Sequence, residues 1–266
     1  MQRDIYLLSP RALSPETIAV TFAKTSRSPE SFREIAAELT DEQSAQFHEK
    51  WVVGYGHASV AEHAVLHVAF ENVSRLAIEC IESNRLASYT EKSTRYQKWA
   101  SDSFYTPRAI AASRHAELYA RTCADLFEVY RQSLEPVKQW AQSQAPRKEG
   151  ESESKYDGRI RSKYVDNCRF ILPASSLANV GMTANARVLE NAIRKMLSHP
   201  LDEVREIGEE VKKVALGETP TLVKYAERVP YLAELTADDG RWTALTPPPV
   251  VNRPSSSDWL TLVDYD

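Results

Sequence analysis

No run in this 266-residue chain approaches the roughly 20 apolar residues that a membrane span needs. The opening MQRDIYLLSPRA has no apolar core before a cleavage site, so the sequence predicts neither a membrane segment nor a secretory leader, and points to the cytoplasm. Cysteine is scarce: Cys80, Cys123 and Cys168 are three in number, without CxxC spacing. That excludes a disulfide framework and a structural zinc knot, and predicts reduced, buried thiols. Charge of one sign is also lacking. A formal net charge of −4 gives no general attraction for nucleic acid, so any anionic ligand must be held by a local cluster of Arg and Lys. There is no GxSxG elbow, GxGxxG turn, P-loop or internal repeat, and no cysteine stands in a recognisable catalytic context. If the chain is an enzyme, a cofactor carries the hard step.

What is present suffices for one sizeable core: 42% of residues are hydrophobic and 26% charged, favouring a single domain over residues 1–235. Residues 236–266, with TPPPVV and RPSSS, read as a poorly ordered arm. Residues 4–8, DIYLL, suit an opening strand. Ser14, Pro15 and Glu16 then start a helix to about Lys24, Ser28, Pro29 and Glu30 repeat that signature before SFREIAAEL, and Thr40 with Gln43 forms a capping box for a third helix. That helix carries Phe47, Trp51 and Val52 on one side and ends at Gly54 and Gly56. AVLHVAF alternates as a strand covered on both sides. Ser74 caps a short helix with Leu76, Ala77, Cys80 and Ile81 inward, and SNRLASYTEKSTRYQKW follows as a long irregular segment. From about Ile110 to Gln144 the apolar positions recur at three and four, predicting a long amphipathic helix kinked at Pro136. Residues 146–162 are charged and small, and read as a mobile loop. A last helix, Leu201 to Leu216, turns Val204, Ile207, Val211 and Val214 inward and stops at Gly217.

The densest chemistry lies between His57 and Trp99. His57, His63 and His67 with Glu62 could ligate a metal, but the spacing is not that of HExxH on a helix, and the competing reading is capping or core histidines. Arg85, Ser93 and Arg95, joined by Arg169, Arg187 and Arg194 or Lys195, could form an anion site, because guanidinium forks bind phosphate bidentately. The competing reading is a solvated surface.

The order H-x-S-x-x-E-H, a strand, S-R, N-R-L-A-S-Y-x-E-x-S-x-R-Y, R-x-x-L-P and N-A-R-x-L-x-N resembles the flavin-dependent thymidylate synthases (ThyX), over about residues 1–225. That family's hallmark is R-H-R, seven residues and a serine; here Ser83, Asn84 and Arg85 precede LASYTEK and Ser93. The resemblance implies an α+β fold, a mixed sheet packed with long helices, and a homotetramer with sites between subunits. It implies FAD near Ser59, Glu62, Ser83, Asn84, Arg85, Leu86, Asn185, Arg187 and Asn191. It places dUMP against Glu91, Ser93, Arg95 and Arg169, with Arg194 or Lys195 on the phosphate, and makes Ser93, Arg95 and Glu91 the catalytic-site residues. NADPH would reduce the flavin and methylenetetrahydrofolate donate the carbon that makes dTMP, with Ser93 positioning substrate rather than attacking it. Ser83 and Asn84 replace Arg and His, and Cys80 replaces a glutamine that contacts the nucleotide. Two alternatives follow: a divergent paralogue acting on or binding another nucleotide, or a non-catalytic subunit of such an assembly.

Overall fold

In the computed structural model, which describes residues 8–25, 28–96 and 99–235, the Ser14 hydroxyl accepts from the Thr17 N–H at 3.2 Å. That bond starts helix α1, Pro15–Thr25. The next helix, α2 (Phe32–Glu38), is capped by Ser31 instead of Ser28. Glu34, three residues beyond Ser31, supplies the reciprocal bond that a box at Ser28 would lack. Thr40 and Gln43 cap α3, Asp41–Phe47, as expected, but the chain then widens into a π-helical turn over His48–Gly54.

A 3-10 turn, Ala58–His63, leads into β1, Val65–Ser74. Then come α4, Arg75–Glu82, and β2, Ser88–Glu91, so the stretch expected to be irregular contains a short strand. The helices α5 (Arg108–Ala111), α6 (Ala116–Gln144) and α7 (Glu153–Cys168) precede β3, Leu177–Asn185. The chain continues into α8, Ala186–Leu197, and α9, Asp202–Ala215.

The expected α+β class is present. The sheet order is β1-β3-β2, and both outer strands run antiparallel to β3. The pairing among described strands is therefore antiparallel throughout, not mixed: β1 and β2 share a direction but β3 separates them. Leu66 pairs with Ala184 and Phe70 with Val180, and a bulge between Phe70 and Val73 places Asn72 at φ 56°.

Leu66 and Phe70 are buried, whereas Val65, His67 and Ala69 are exposed. The expectation of a strand covered on both sides is thus corrected within one chain: α8 and α9 cover a single face, and Leu189, Ile193, Val204 and Val211 fill the core against Val180 and Met182. In α4 the inward residues are Ala77, Ile78 and Ile81, while Leu76 is exposed. The rotation is set by Ser74, whose N–H and hydroxyl both donate to the buried Glu203 carboxylate, at 2.7 and 2.5 Å. In α9, Val214 faces out and Ala215 is buried.

The helix α6 runs unbroken through Pro136 and buries Cys123, Phe127 and Tyr130. The expected mobile loop at 146–162 is mostly helix. Ser152 caps α7, whose Ile160, Val165 and Cys168 make one narrow buried stripe. The Glu151 carboxylate receives two Arg159 N–H bonds, at 2.9 and 2.7 Å, and the Lys148 N–H at 3.1 Å. Those bonds hold the Glu151 acid group down at about 2. Of the expectations above, the opening strand (but for Leu8) and the C-terminal arm lie outside the described residues. No helix among the described residues is long and apolar enough to cross a membrane.

Candidate functional site

Two cavities gather most of the residues singled out above, and they lie at opposite ends of β3. The first, of about 760 Å³, is built from four segments: Ala58 and Glu62, residues 84–86 after α4, Asn185 at the end of β3, and the exposed face of α8. Its walls carry Glu62, Asn84, Arg85, Leu86, Asn185, Arg187 and Asn191, together with Arg194 and Lys195. Arg187 pairs with Glu62, and Arg194 donates to Glu190 at 2.7 Å. Arg85 has no ion-pair partner among the described residues. The Asn185 side chain accepts from the Val188 N–H at 2.9 Å and so caps α8, leaving the other first-turn N–H groups and the positive helix end toward the cavity.

The first two residues of the altered motif bond the end of their own helix. Asn84 is buried, its amide donating to the Ile81 carbonyl at 2.9 Å and its oxygen accepting from Lys195 at 3.4 Å. That side chain closes the end of α4 while the residue forms part of the first cavity's wall. The Ser83 hydroxyl donates to the Cys80 carbonyl at 2.8 Å, and Ser83 lines a different hollow with Cys80, Lys195 and His199. Ser59 also falls outside the first cavity, in a third hollow with Lys24, Trp51 and His57.

The second cavity, about 520 Å³, is lined by Glu91, Ser93 and Arg169 from the predicted set. Arg75, the arginine of the S-R element, also lines it, as do Thr94, Trp99 and Phe170, which sequence reasoning did not single out. Arg169 donates to Thr94 Oγ1 at 3.2 Å and sits 3.3 Å from Asp166. Asp166 also takes a bidentate fork from Arg95, at 3.0 and 2.8 Å. Those guanidiniums, Arg95 above all, hold the Asp166 acid group below its usual range. Arg95 is thus engaged beside the cavity by Asp166, a residue that no sequence motif marked. Arg194 and Lys195 do not join this cavity; they belong to the first.

The histidines expected as alternative metal ligands have separate partners. His63 stacks on Phe22 at 4.7 Å, His57 lies 5.8 Å from Trp51, and His67 bonds Thr183 at 2.9 Å. Cys80 lies 3.2 Å from Nε2 of His199, whose Nδ1 accepts from the Leu201 N–H at 3.2 Å. That acceptor role places the neutral ring's proton on Nε2, pointing at sulfur. Burial, then the Glu79 and Glu203 carboxylates, push the Cys80 thiol up, so the pair is a protonated contact and not an activated nucleophile.

Comparison with known proteins agrees with these motifs. A family model described as thymidylate synthase complementing protein matches residues 9–221. A Chlamydia pneumoniae protein of the UPF0159 group is 32% identical over 196 residues, covering 71% of this chain and 37% of its own length. The chain therefore spans little more than a third of that relative. A flavin-dependent thymidylate synthase of Clostridium tetani is 28% identical over 220 residues, 80% of this chain and 82% of that protein. Among solved structures, ThyX of Helicobacter pylori complexed with FAD and dUMP superposes with a TM-score of 0.54 at 17% identity, covering 81% of this chain and 96% of that one. A UMP/dUMP methylase, PolB of Streptomyces cacaoi bound with 5-Br dUMP, gives 0.56 at 17% identity, over 79% and 88%.

Proposed function

The chain belongs to the thymidylate synthase complementing protein family, and on that premise we propose that it is a flavin-dependent methylase converting dUMP to dTMP, with methylenetetrahydrofolate as carbon donor and NADPH as reductant. The observation that carries this reading is the first cavity, where seven residues implicated as flavin contacts converge from four segments: Glu62, Asn84, Arg85, Leu86, Asn185, Arg187 and Asn191. Its chemistry fits FAD. Arg85, Arg187, Arg194, Lys195 and the α8 N-terminus suit a diphosphate. Leu86, 79% exposed at the rim, offers an apolar surface to a planar ring, and the volume lies in the range of small-molecule sites.

Bound FAD supplies the electron carrier of the reaction. The chain's own residues bind and orient. Glu62 fixes the direction of Arg187, Asp166 fixes Arg95 and Arg169, and Ser93 with Thr94 brings hydroxyls to the nucleotide cavity. No step asks Ser93 to attack. The two cavities stand at opposite ends of β3, which supports a tetrameric assembly in which the flavin half of one chain meets the nucleotide half of another.

A second reading, methylation or binding of another pyrimidine nucleotide such as UMP, is favoured by one observation: Ser83 and Asn84 turn their side chains onto the end of α4, leaving Arg85 as the motif's only cation. The deciding experiment is titration of FAD-reconstituted protein with dUMP and UMP, together with rescue of a thymidine auxotroph. A yellow protein that binds dUMP and rescues growth is expected. Tight flavin binding with UMP preferred and no rescue would move the assignment to the second reading, and failure to hold FAD would overturn both.

A further inference from the structure

The helix α6, Ala116–Gln144, buries Cys123, Phe127, Tyr130 and Ala141 along one side and leaves three large apolar side chains on another. Leu118 is 52% exposed, Val129 49% and Trp140 60%. Single exposed apolar residues need no explanation, but these are evenly placed. Val129 stands eleven residues from each of the others, and eleven residues make almost three whole turns. The three therefore lie on one stripe, about 33 Å long, with Thr122 and Pro136 between them and Asp125 at its edge.

The spacing is symmetric as well as even. An antiparallel copy of the same stripe, turned about a two-fold axis at Val129, sets Leu118 against Trp140 at both ends and Val129 against itself. Thr122 then meets Pro136. The charges agree with that register. Arg121, which has no ion-pair partner among the described residues, comes beside Glu135, whose own pairing with Lys138 is a loose 3.9 Å. Glu128 nears its counterpart at the axis but is already neutralised by Arg131 at 2.5 Å. A surface that complements its own reversed image is what an isologous contact requires. We propose that α6 is a dimerisation surface: two copies pack their α6 helices antiparallel about a two-fold axis at Val129. The inference rests on no reaction. It adds to the assembly argued above, because a dihedral tetramer needs a second kind of two-fold contact besides the one that joins the two cavities.

The test reads mass by light scattering on the full chain, with circular dichroism to show that each variant folds. Val129→Arg puts two guanidiniums together at the axis, so its mass should fall to half that of the unaltered protein. The register is tested by charge. Leu118→Glu and Trp140→Lys should each halve the mass, and the two changes in one chain should restore it, because each new carboxylate then faces a new ammonium on the other copy. An unchanged mass in Val129→Arg, or a double variant no more assembled than the single ones, overturns the proposal. Should Val129→Arg not fold, Val129→Cys decides, since closely packed helices bring two β-carbons at the axis within disulfide reach. Oxidation should give a covalent dimer that the unaltered chain, with Cys80, Cys123 and Cys168 in place, does not; no such dimer overturns the proposal. An unaltered protein that is monomeric at micromolar concentration defeats both this inference and the tetramer. An unaltered dimer that Val129→Arg splits would uphold the inference and remove the tetramer with its composite site.

Discussion

His48 is 0% exposed, and its two ring nitrogens meet different fates. Nε2 donates to the Glu16 carbonyl at 3.0 Å, which leaves Nδ1 as an unprotonated acceptor, buried without a partner among the described residues. Burial, the dominant cause, lowers its proton affinity below the ordinary value of 6.5, against a smaller opposing pull from Glu16. A histidine that is a weaker base when folded gives the unfolded chain the greater proton uptake. Its contribution to stability is therefore complete above about pH 6.5 and is lost as pH falls from there toward the folded value. Urea unfolding at pH 7 and pH 5 should show a fall in midpoint that His48→Gln, which retains a side-chain N–H donor, reduces. An identical fall in both proteins would mean that other groups govern the acid limb. The same scale explains the altered motif. Nothing in the letters Ser83 and Asn84 says that both side chains will bond the end of their own helix, since that depends on where Tyr89 and Lys195 arrive: the Tyr89 hydroxyl sits 2.9 and 2.8 Å from the Ile81 and Asn84 carbonyls.

At the scale of elements, the packing of α9 on α8 depends on Gly208. A β-carbon there would come within 2.9 Å of Met196 Cβ and 3.2 Å of the Leu197 nitrogen. Alanine is the better helix former by about 1 kcal/mol, yet Gly208→Ala should lower stability by about 1–3 kcal/mol, because overpacking forces the helices apart. A raised thermal midpoint would show that α9 can shift without cost. Close approaches of this kind are invisible in sequence, whereas rules acting within a few residues are not. The Thr40 and Gln43 box, the Ser74 cap and the three-four spacing of α6 were legible because their partners are near neighbours. The helix α7 was not. It carries only three buried apolar residues, and the Arg159 to Glu151 lock that anchors its start looks, as letters, like solvated charge. The strand β2 is four residues long, too short for alternation to announce. Arg85, Arg187 and Arg169 were marked by motif, but Trp99 and Asp166 became site candidates only when the fold brought α6, α7 and the segment after β2 together.

For the whole molecule, the distance between the two cavities decides what one chain can do. Ala178 lines the cavity proposed for the nucleotide and Asn185 the one proposed for the flavin. Seven residue steps of extended strand separate them, about 24 Å, too far for direct contact between a ring in one and a base in the other. Exposed apolar residues flank both openings, Leu86 at the first and Phe170, 83% exposed, at the second. Surface of that kind suits burial against another copy. In the proposed tetramer each complete site combines the Arg85 half of one chain with the Arg169 half of another, and closed symmetry repeats the pairing. Arg85→Ala should then spoil only flavin halves and Arg169→Ala only nucleotide halves, so each variant alone is inactive. Unfolding and refolding a 1:1 mixture should restore about a quarter of the native thymidylate synthesis, the fraction of sites that receive two intact halves by random pairing. Light scattering should give close to four times the 30.0 kDa of one chain. A mixture as inactive as its parents, in material of tetrameric mass, would mean that each site is built within a single chain, and the assignment of the two cavities to one reaction would have to be abandoned.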